Sequence, residues 1–249
     1  MDALDAARWL RDATHGITPG APVAFTYRPL DYAWTAHEAY VRRFGRGPKR
    51  ALLVGMNPGP WGMGQTGIPF GDGPLVGDWL GLRGANIRVP AGLHPDRPVL
   101  GWACTRREAS GKRLWGLLRE LFVEADAALA DLFVVNHCPL LFFDAAGSNI
   151  TPDKLHKADR ETVLRASDDG LRRTIDALLP RFLIGVGAYA EARCRNVAPP
   201  GVQVLRIPHP SPASPEANRD GGLPWRAAVI AALETAGVVT AASLDLRSR

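Results

Sequence analysis

Short apolar runs of strand length alternate along the chain with longer stretches that carry apolar residues at helical spacing. The strand-like runs lie at residues 51–54, 132–135, 182–186 and 202–207, and the helical patterns at residues 32–44, 114–123, 159–179, 188–196 and 225–236. This alternation predicts an α/β domain, a three-layer α/β/α sandwich around a central, mainly parallel four-stranded sheet. We expect one domain over residues 1–240 and a C-terminal tail at 241–249.

Unusual polar residues follow three of the four predicted strands. The first strand leads to Asn57, the second to Asn136-His-Cys-Pro-Leu140, and the fourth to His209-Pro-Ser-Pro212. Taken singly, such residues are usually turn or surface-loop residues. Because ligands of parallel sheets bind outside the carboxyl ends of the strands, we expect these two amides and the imidazole to converge on one functional rim.

The segment from Gly55 to Gly71 is rich in glycine and proline and contains no charged side chain. Its prolines and glycines argue against a helix. An apolar, turn-rich loop after a strand is typical of the wall of a pocket that closes on a flat, uncharged ligand.

Two glycine patterns match the spacing of a dinucleotide-binding fingerprint. The first, at residues 62–67, is followed by prolines and glycines that prevent the required helix. The second, at residues 185–190, lies between a strand and a helix but lacks the acidic residue that binds a ribose about 20 positions later. A nicotinamide-dependent oxidoreductase is therefore a weak alternative.

Composition narrows the class of protein. The chain has 249 residues, a formal net charge of +5 and three well-separated cysteines. The net charge is compatible with a polyanionic partner, and equally with a mildly basic enzyme that binds no nucleic acid. The cysteines offer neither a disulfide framework nor an iron–sulfur site, so we expect neither a metal nor a cofactor. No stretch resembles a membrane span, and the first residues lack the pattern of a secretory signal. We expect an intracellular protein, located in the cytoplasm or nucleoid if bacterial and in the nucleus if eukaryotic.

The polar groups at the rim suit recognition of a pyrimidine. The amide of Asn136 could accept a hydrogen bond from N3–H of uracil and donate one to O4, a pattern that cytosine reverses. Phe70, at the end of the glycine-rich segment, offers a face for base stacking or is an ordinary core aromatic.

The four motif segments together resemble those of the single-strand-selective monofunctional uracil-DNA glycosylases. They are residues 55–60, 65–71, 136–140 and 209–212, and the similarity extends from about residue 4 to about residue 238. The resemblance implies that Asn57 holds the hydrolytic water near C1′ of the sugar and that His209 stabilises negative charge on the uracil O2. It implies that Asn136 reads the Watson–Crick edge of the base and that Phe70 stacks on its ring.

The resemblance also assigns the surroundings of the base. Backbone amides near Met56 and Gly59 complete the pocket, and Gly59 and Met63 lie close to C5 of the base. Members of the family accept uracils substituted at C5, such as 5-hydroxymethyluracil, and reject thymine.

The function implied is removal of uracil and 5-substituted uracils from single- and double-stranded DNA, which leaves an abasic site. No lysine lies in the motifs, so we expect a monofunctional enzyme without a Schiff-base intermediate. The expected partner is DNA, the expected state a monomer, and no membrane is involved. Two alternatives stay open: the same fold acting on deaminated purines such as xanthine or hypoxanthine, and a non-catalytic protein that binds uracil or abasic sites.

Contacts to the DNA strand are expected from the loop after His209. In the family this loop forms a wedge in the base stack, and vertebrate members carry an arginine directly after the motif, where this chain has Ala213. Arg219 or Leu223 could serve as the wedge instead. The DNA-binding residues expected from this loop are Ser211, Pro212, Ala213, Ser214 and Arg219.

A second set of cations near the rim could contact phosphates or could form a solvated helix start. They are Arg106, Arg107, Lys112 and Arg113.

Overall fold

The computed structural model of the chain describes residues 1–239. The predicted tail at 241–249 and the end of the predicted domain at residue 240 lie outside the described residues.

A four-stranded parallel sheet forms the centre of the described fold. Its strands stand in the order β3-β2-β6-β7, and a smaller antiparallel sheet has the order β1-β4-β5. Labelled along the chain, the strands are β1 (Phe25–Tyr27), β2 (Ala51–Gly55), β3 (Leu132–Asn136), β4 (Leu141–Phe143), β5 (Asn149–Ile150), β6 (Phe182–Val186) and β7 (Gln203–Ile207). The predicted fold class and the four predicted strands of the central sheet are confirmed.

Helices flank the central sheet. They are α1 (Ala3–His15), α2 (Pro29–Tyr32), α3 (Trp34–Phe44), α4 (Met63–Thr66), α5 (Ala109–Phe122), α6 (Ala125–Ala128), α7 (Lys157–Leu178), α8 (Gly187–Val197), α9 (Pro215–Asn218) and α10 (Leu223–Thr235). Helix α1 packs against α3 and α7, α8 packs on β6 and β7, and α10 contacts β7. No helix within residues 1–239 is both long enough and apolar enough to span a membrane.

The central position of β2 explains its unbroken apolar sequence. Ala51, Leu52, Leu53 and Val54 are completely buried. A strand with a partner on each side and helices on each face exposes no side chain to water, so a continuous apolar run replaces the alternation of a half-exposed strand.

Several local predictions differ from the structure. Helix α1 was not predicted, although Asp2 and Asp5 form a capping box at its start. The predicted helix at 32–44 is divided at Ala33 into α2 and α3. The exclusion of any helix from the glycine-rich segment was wrong in one detail, because α4 makes a single turn that ends at Gly67 in the left-handed conformation.

The topology brings the predicted polar residues to one edge of the sheet. From β2 the chain moves to β3 on one side and then to β6 and β7 on the other, so a topological switch point lies beside the carboxyl end of β2. Gly55 pairs with Asn136 in the register of β2 and β3, so the loops that follow these two strands begin side by side.

Candidate active site

An open cleft of about 510 Å³ lies at the carboxyl edge of the central sheet. This volume is in the range of small-molecule binding pockets. The residues that line it come from the glycine-rich loop, the start of α5, the end of β5 and the loop after β7: Met56, Asn57, Pro58, Gly59, Pro60, Phe70, Glu108, Ser110, Asn149, Thr151, His209, Ser211, Ala213 and Ser214. The structure thus brings Asn57, Phe70 and His209 to one cleft.

The amide of Asn57 has a defined orientation in the cleft. Its Nδ2 donates hydrogen bonds to the carbonyl oxygens of Leu140 at 3.3 Å and Pro58 at 3.4 Å. Its Oδ1 therefore remains as an acceptor. A neutral amide oriented in this way can position a water molecule but cannot act as a strong base.

The imidazole of His209 is held in one tautomer. Its Nδ1 accepts a hydrogen bond from the backbone N–H of Ser211 at 3.1 Å, so a neutral ring carries its proton on Nε2. Burial lowers the pKa of His209 below its usual value of 6.5, which favours this neutral form at pH 7. The cleft therefore contains a neutral N–H donor.

Phe70 is fixed by close backbone packing. Its φ angle of 53° lies in the left-handed region, which bulky residues rarely adopt. The indole of Trp115 donates to the carbonyl of Pro69 at 3.1 Å, and a Cβ at Gly111 would overlap the carbonyl of Phe70. The strained backbone places the phenyl ring 6.4 Å from the imidazole of His209, measured between centroids. Strain that is held by its surroundings is common at functional sites.

Asn136 and Met63 lie beside the cleft rather than on its surface. They line a second, smaller pocket, where Nδ2 of Asn136 contacts Sδ of Met63 at 3.3 Å. The side chain of Asn136 is nevertheless adjacent to Phe70, because a Cβ at Gly55 would clash with both residues. A thioether is a weak acceptor, so a ligand carbonyl could replace it as the partner of the amide.

Glu108 is a residue of the cleft that was not predicted from the sequence. Its carboxylate lies against Gly59, where a Cβ would collide with it. Burial raises the pKa of Glu108, and backbone N–H groups of Ser110 and Trp61 partly oppose that rise. The residue stands in the polar run from Arg106 to Glu108, which has the composition of an exposed loop and gave no signal of a buried carboxylate.

A buried polar cluster supports the loop after β3. His137 is completely buried, and its Nε2 lies 2.8 Å from a carboxylate oxygen of Asp168. The same carboxylate accepts hydrogen bonds from Arg193. The backbone N–H of His137 donates to the carbonyl of Gly55 at 2.9 Å, which ties the ends of β2 and β3 together.

The predicted DNA-binding residues occupy the rim of the cleft and the turn that follows. Ser211, Ala213 and Ser214 line the cleft, and Pro212 is exposed between them. Arg219 is exposed at the start of a short 3₁₀ turn, and Leu223 is 64% exposed.

The other four cations differ in their partners. Arg107 makes two hydrogen bonds to the buried carboxylate of Asp72, at 2.6 and 2.5 Å, and Arg113 donates to the carbonyl of Pro210. Arg106 lies over the indole of Trp61 at 4.2 Å from the ring centroid, and Lys112 is exposed. Of these four candidates for phosphate contact, Arg107 and Arg113 thus hydrogen-bond to groups of the protein itself.

Among residues 1–239, no group of three or more His, Cys, Asp or Glu side chains is arranged to hold a metal ion.

Comparison with known proteins gives concordant results. Residues 43–232 match the family model of the uracil DNA glycosylase superfamily. The chain is 46% identical over 200 residues to the single-strand selective monofunctional uracil DNA glycosylase of Bos taurus, covering 79% of this chain and 73% of that protein. It is 44% identical over 221 residues to the corresponding protein of Rattus norvegicus, covering 88% of this chain and 78% of that protein.

A solved structure supports the fold independently. The crystal structure of wild-type SMUG2 from Pedobacter heparinus superimposes with a TM-score of 0.66 at 18% sequence identity, covering 93% of this chain and 98% of that chain. Identity this low supports the fold alone. The sequence identities and the family match together establish that this chain belongs to the single-strand-selective monofunctional uracil-DNA glycosylases of the uracil DNA glycosylase superfamily.

Proposed function

We propose that this protein excises uracil, and uracils substituted at C5 such as 5-hydroxymethyluracil, from single- and double-stranded DNA. It hydrolyses the N-glycosidic bond and leaves an abasic site. The observation that carries the proposal is the pairing of two neutral groups in one cleft: the Asn57 amide keeps a free acceptor oxygen, and the His209 imidazole keeps a free N–H donor.

In the proposed reaction His209 stabilises the departing base. As the bond between C1′ and N1 breaks, its electron pair moves into the pyrimidine ring and charge develops on O2. A preorganised N–H donor in a partly buried site stabilises such charge, and loss of one donor of this kind typically costs about 10²- to 10³-fold in rate. A neutral imidazole serves here because its pKa is lowered by burial.

Asn57 is proposed to hold the attacking water. Because an amide is a poor base, the glycosidic bond must break before the water adds. The cationic sugar is then captured by a weakly activated water whose proton is lost to solvent. This order places most of the acceleration in charge stabilisation and less in proton transfer.

Phe70 and Asn136 are proposed to select the base. The ring of Phe70 supplies a stacking surface, an interaction worth about 1–3 kcal/mol for a nucleobase. Asn136 then exchanges its contact with Met63 for O4 of uracil and accepts N3–H on its Oδ1. Cytosine would leave both groups mismatched, and sites of this kind discriminate by about 10⁴-fold or more.

The environment of Gly59 is proposed to set tolerance at C5. No side chain projects from this residue into the cleft, so a substituent can be accommodated. The adjacent carboxylate of Glu108 makes that boundary polar. A hydroxymethyl group can hydrogen-bond there, whereas the methyl group of thymine would desolvate the carboxylate without compensation.

The substrate strand is proposed to lie across the rim formed by residues 211–214. Ala213 is too small to fill the gap left by a flipped base, and the exposed side chain of Leu223 is the better wedge. Opening a duplex costs a few kcal/mol. We therefore expect single strands and mispaired uracil to be better substrates than uracil paired with adenine.

The decisive experiment is a time course of base release from a single-stranded oligonucleotide that contains one uracil, with EDTA present. Release of free uracil and an alkali-labile strand supports the proposal. Binding without release would favour a non-catalytic uracil-binding protein, and release only from strands with xanthine or hypoxanthine would favour a purine-specific enzyme. Trapping of a covalent complex with borohydride would contradict a monofunctional mechanism. The monomeric state and the intracellular location stay predictions.

A further inference from the structure

Arg113 lies on α5 near the cleft but directs its guanidinium toward the loop that carries His209. Its Nη1 donates to the carbonyl oxygen of Pro210 at 2.8 Å, and its Nη2 donates to Oδ1 of Asn218 at 2.9 Å. The amide of Asn218 in turn donates to the carbonyl of Pro212. Arg113 and Asn218 therefore hold the loop at two of its carbonyl groups.

The two residues next to His209 in the sequence are both held by hydrogen bonds to their carbonyl groups. The indole of Trp225 donates to the carbonyl of Pro208 at 3.0 Å, and Arg113 binds the carbonyl of Pro210. His209 lies between these two anchored residues, and its own Nδ1 depends on the N–H of Ser211 in the same turn. A shift of this turn would move the imidazole and weaken the bond that fixes its tautomer.

Helix α5 also fixes the opposite wall of the cleft. Gly111 packs against the backbone of Phe70, and Trp115 binds the carbonyl of Pro69. The same helix thus contacts the loop of Phe70 through its first turns and the loop of His209 through Arg113. A rigid helix that holds both loops determines the distance between stacking ring and imidazole.

We propose that Arg113, with Asn218, is a positioning residue that holds the His209 loop in its reactive geometry, rather than a contact for DNA phosphate. This inference rests on the proposed function. Displacement of a reacting group by about 1 Å can cost about 10²-fold in rate. Removal of the brace should therefore lower the maximal rate of base release by about 10- to 100-fold and leave the salt dependence of DNA binding unchanged.

The test compares Arg113→Gln with Arg119→Gln, which removes one positive charge from an exposed position on the same helix. Two quantities are measured: the single-turnover rate of uracil release from a single strand, and the dissociation constant for a strand with an abasic-site analogue at several salt concentrations. We expect only Arg113→Gln to slow release, and we expect both variants to bind DNA with the same salt dependence. A phosphate contact would instead leave the maximal rate intact, weaken binding and reduce the salt slope by about 1.

A double-mutant cycle separates positioning from a general effect on the fold. In a His209→Ala background, Arg113→Gln should cause no further loss of rate, because the group it positions is absent. An equal loss in both backgrounds would refute the inference. Asn218→Ala, at an exposed position, tests the other end of the brace independently if Arg113→Gln fails to fold. Failure of the wild-type protein to release uracil would refute the proposed function, whereas normal release by Arg113→Gln and Asn218→Ala would refute only the positioning role.

Discussion

Gly111 packs directly against the backbone of Phe70, and replacing it with alanine should impair catalysis more than folding. A Cβ at this position would overlap the carbonyl oxygen of Phe70 and lie 2.9 Å from its carbonyl carbon and 3.3 Å from Cβ of Asp72. The atoms that obstruct it are backbone, so no flexible side chain can move aside. Gly111 is helical and its φ is not positive, so alanine causes no backbone strain and its cost comes from the steric overlap.

The size of the effect follows from the movement that is required. The peptide of Phe70 must shift by about 1.5 Å to restore ordinary contact, because the added Cβ would lie 1.9 Å from its carbonyl oxygen. A displacement of about 1 Å already costs about 10²-fold in rate. Overpacking of this kind typically lowers the free energy of unfolding by about 1–3 kcal/mol. We expect Gly111→Ala to release uracil about 100-fold more slowly while remaining folded at 25 °C.

Gly116 provides a matched control on the same helix. A Cβ there would meet nothing within 4 Å, so alanine should stabilise the helix by about 0.5–1 kcal/mol. The assay is single-turnover release of uracil with enzyme in excess, combined with urea unfolding of both variants. Release at the wild-type rate by Gly111→Ala, or an equally slow Gly116→Ala, would show that the packing of α5 against Phe70 does not control the reaction.

Four further predictions concern named groups. His209→Ala should slow release by about 10²- to 10³-fold. Because burial lowers the pKa of His209, the wild-type rate should stay constant above pH 6.5 and fall only when acid protonates the ring. A rate that is highest below pH 6.5 would exclude a neutral donor. Asn57→Ala should slow release by about 10²-fold or more without weakening DNA binding, and near-normal release would remove its role in positioning water. Burial also lowers the pKa of His137, so the folded state binds fewer protons than the unfolded chain and the free energy of unfolding should decrease as pH falls below 6.5. In urea titrations, His137→Gln should reduce that pH dependence, and an unchanged pH profile would contradict this prediction. Release should be faster from single strands and U·G mispairs than from U·A pairs, because opening a paired duplex costs a few kcal/mol and Ala213 is too small to fill the gap left by the flipped base. Equal rates on all three substrates would show that Leu223 or another residue of the rim offsets that cost fully.

The central sheet could be predicted from sequence because its strands are buried on both faces. Residues 51–55 form an unbroken apolar run between polar segments, and such a run identifies a buried parallel strand without knowledge of its partners. The small antiparallel sheet was missed because β1, β4 and β5 contain only two or three residues each, too few to display a period. Helix α1 was missed although Asp2 and Asp5, three positions apart, have the spacing of a capping box.

The cleft was predictable where its residues follow strands and not where helices supply them. Asn57 and His209 follow β2 and β7, which end at the same edge of one parallel sheet, so topology places both residues at that edge. Glu108 and Arg113 lie at the start of α5, and nothing in their local sequence distinguishes a residue directed inward from a solvated cation or carboxylate. The pairing of His137 with Asp168 joins positions 31 residues apart, a contact that only the packed structure specifies.

Helix α5 holds both the loop of Phe70 and the loop of His209, which has a consequence for protein engineering. A chimaera that imports only the glycine-rich segment from a relative with a different base preference would inherit a foreign loop on a native scaffold, with Phe70 no longer matched to the helix behind it. Exchange of substrate range should therefore require residues 55–71 and 108–115 to be transplanted as one unit. Libraries that vary the two segments jointly are the ones in which altered specificity and retained turnover should coincide.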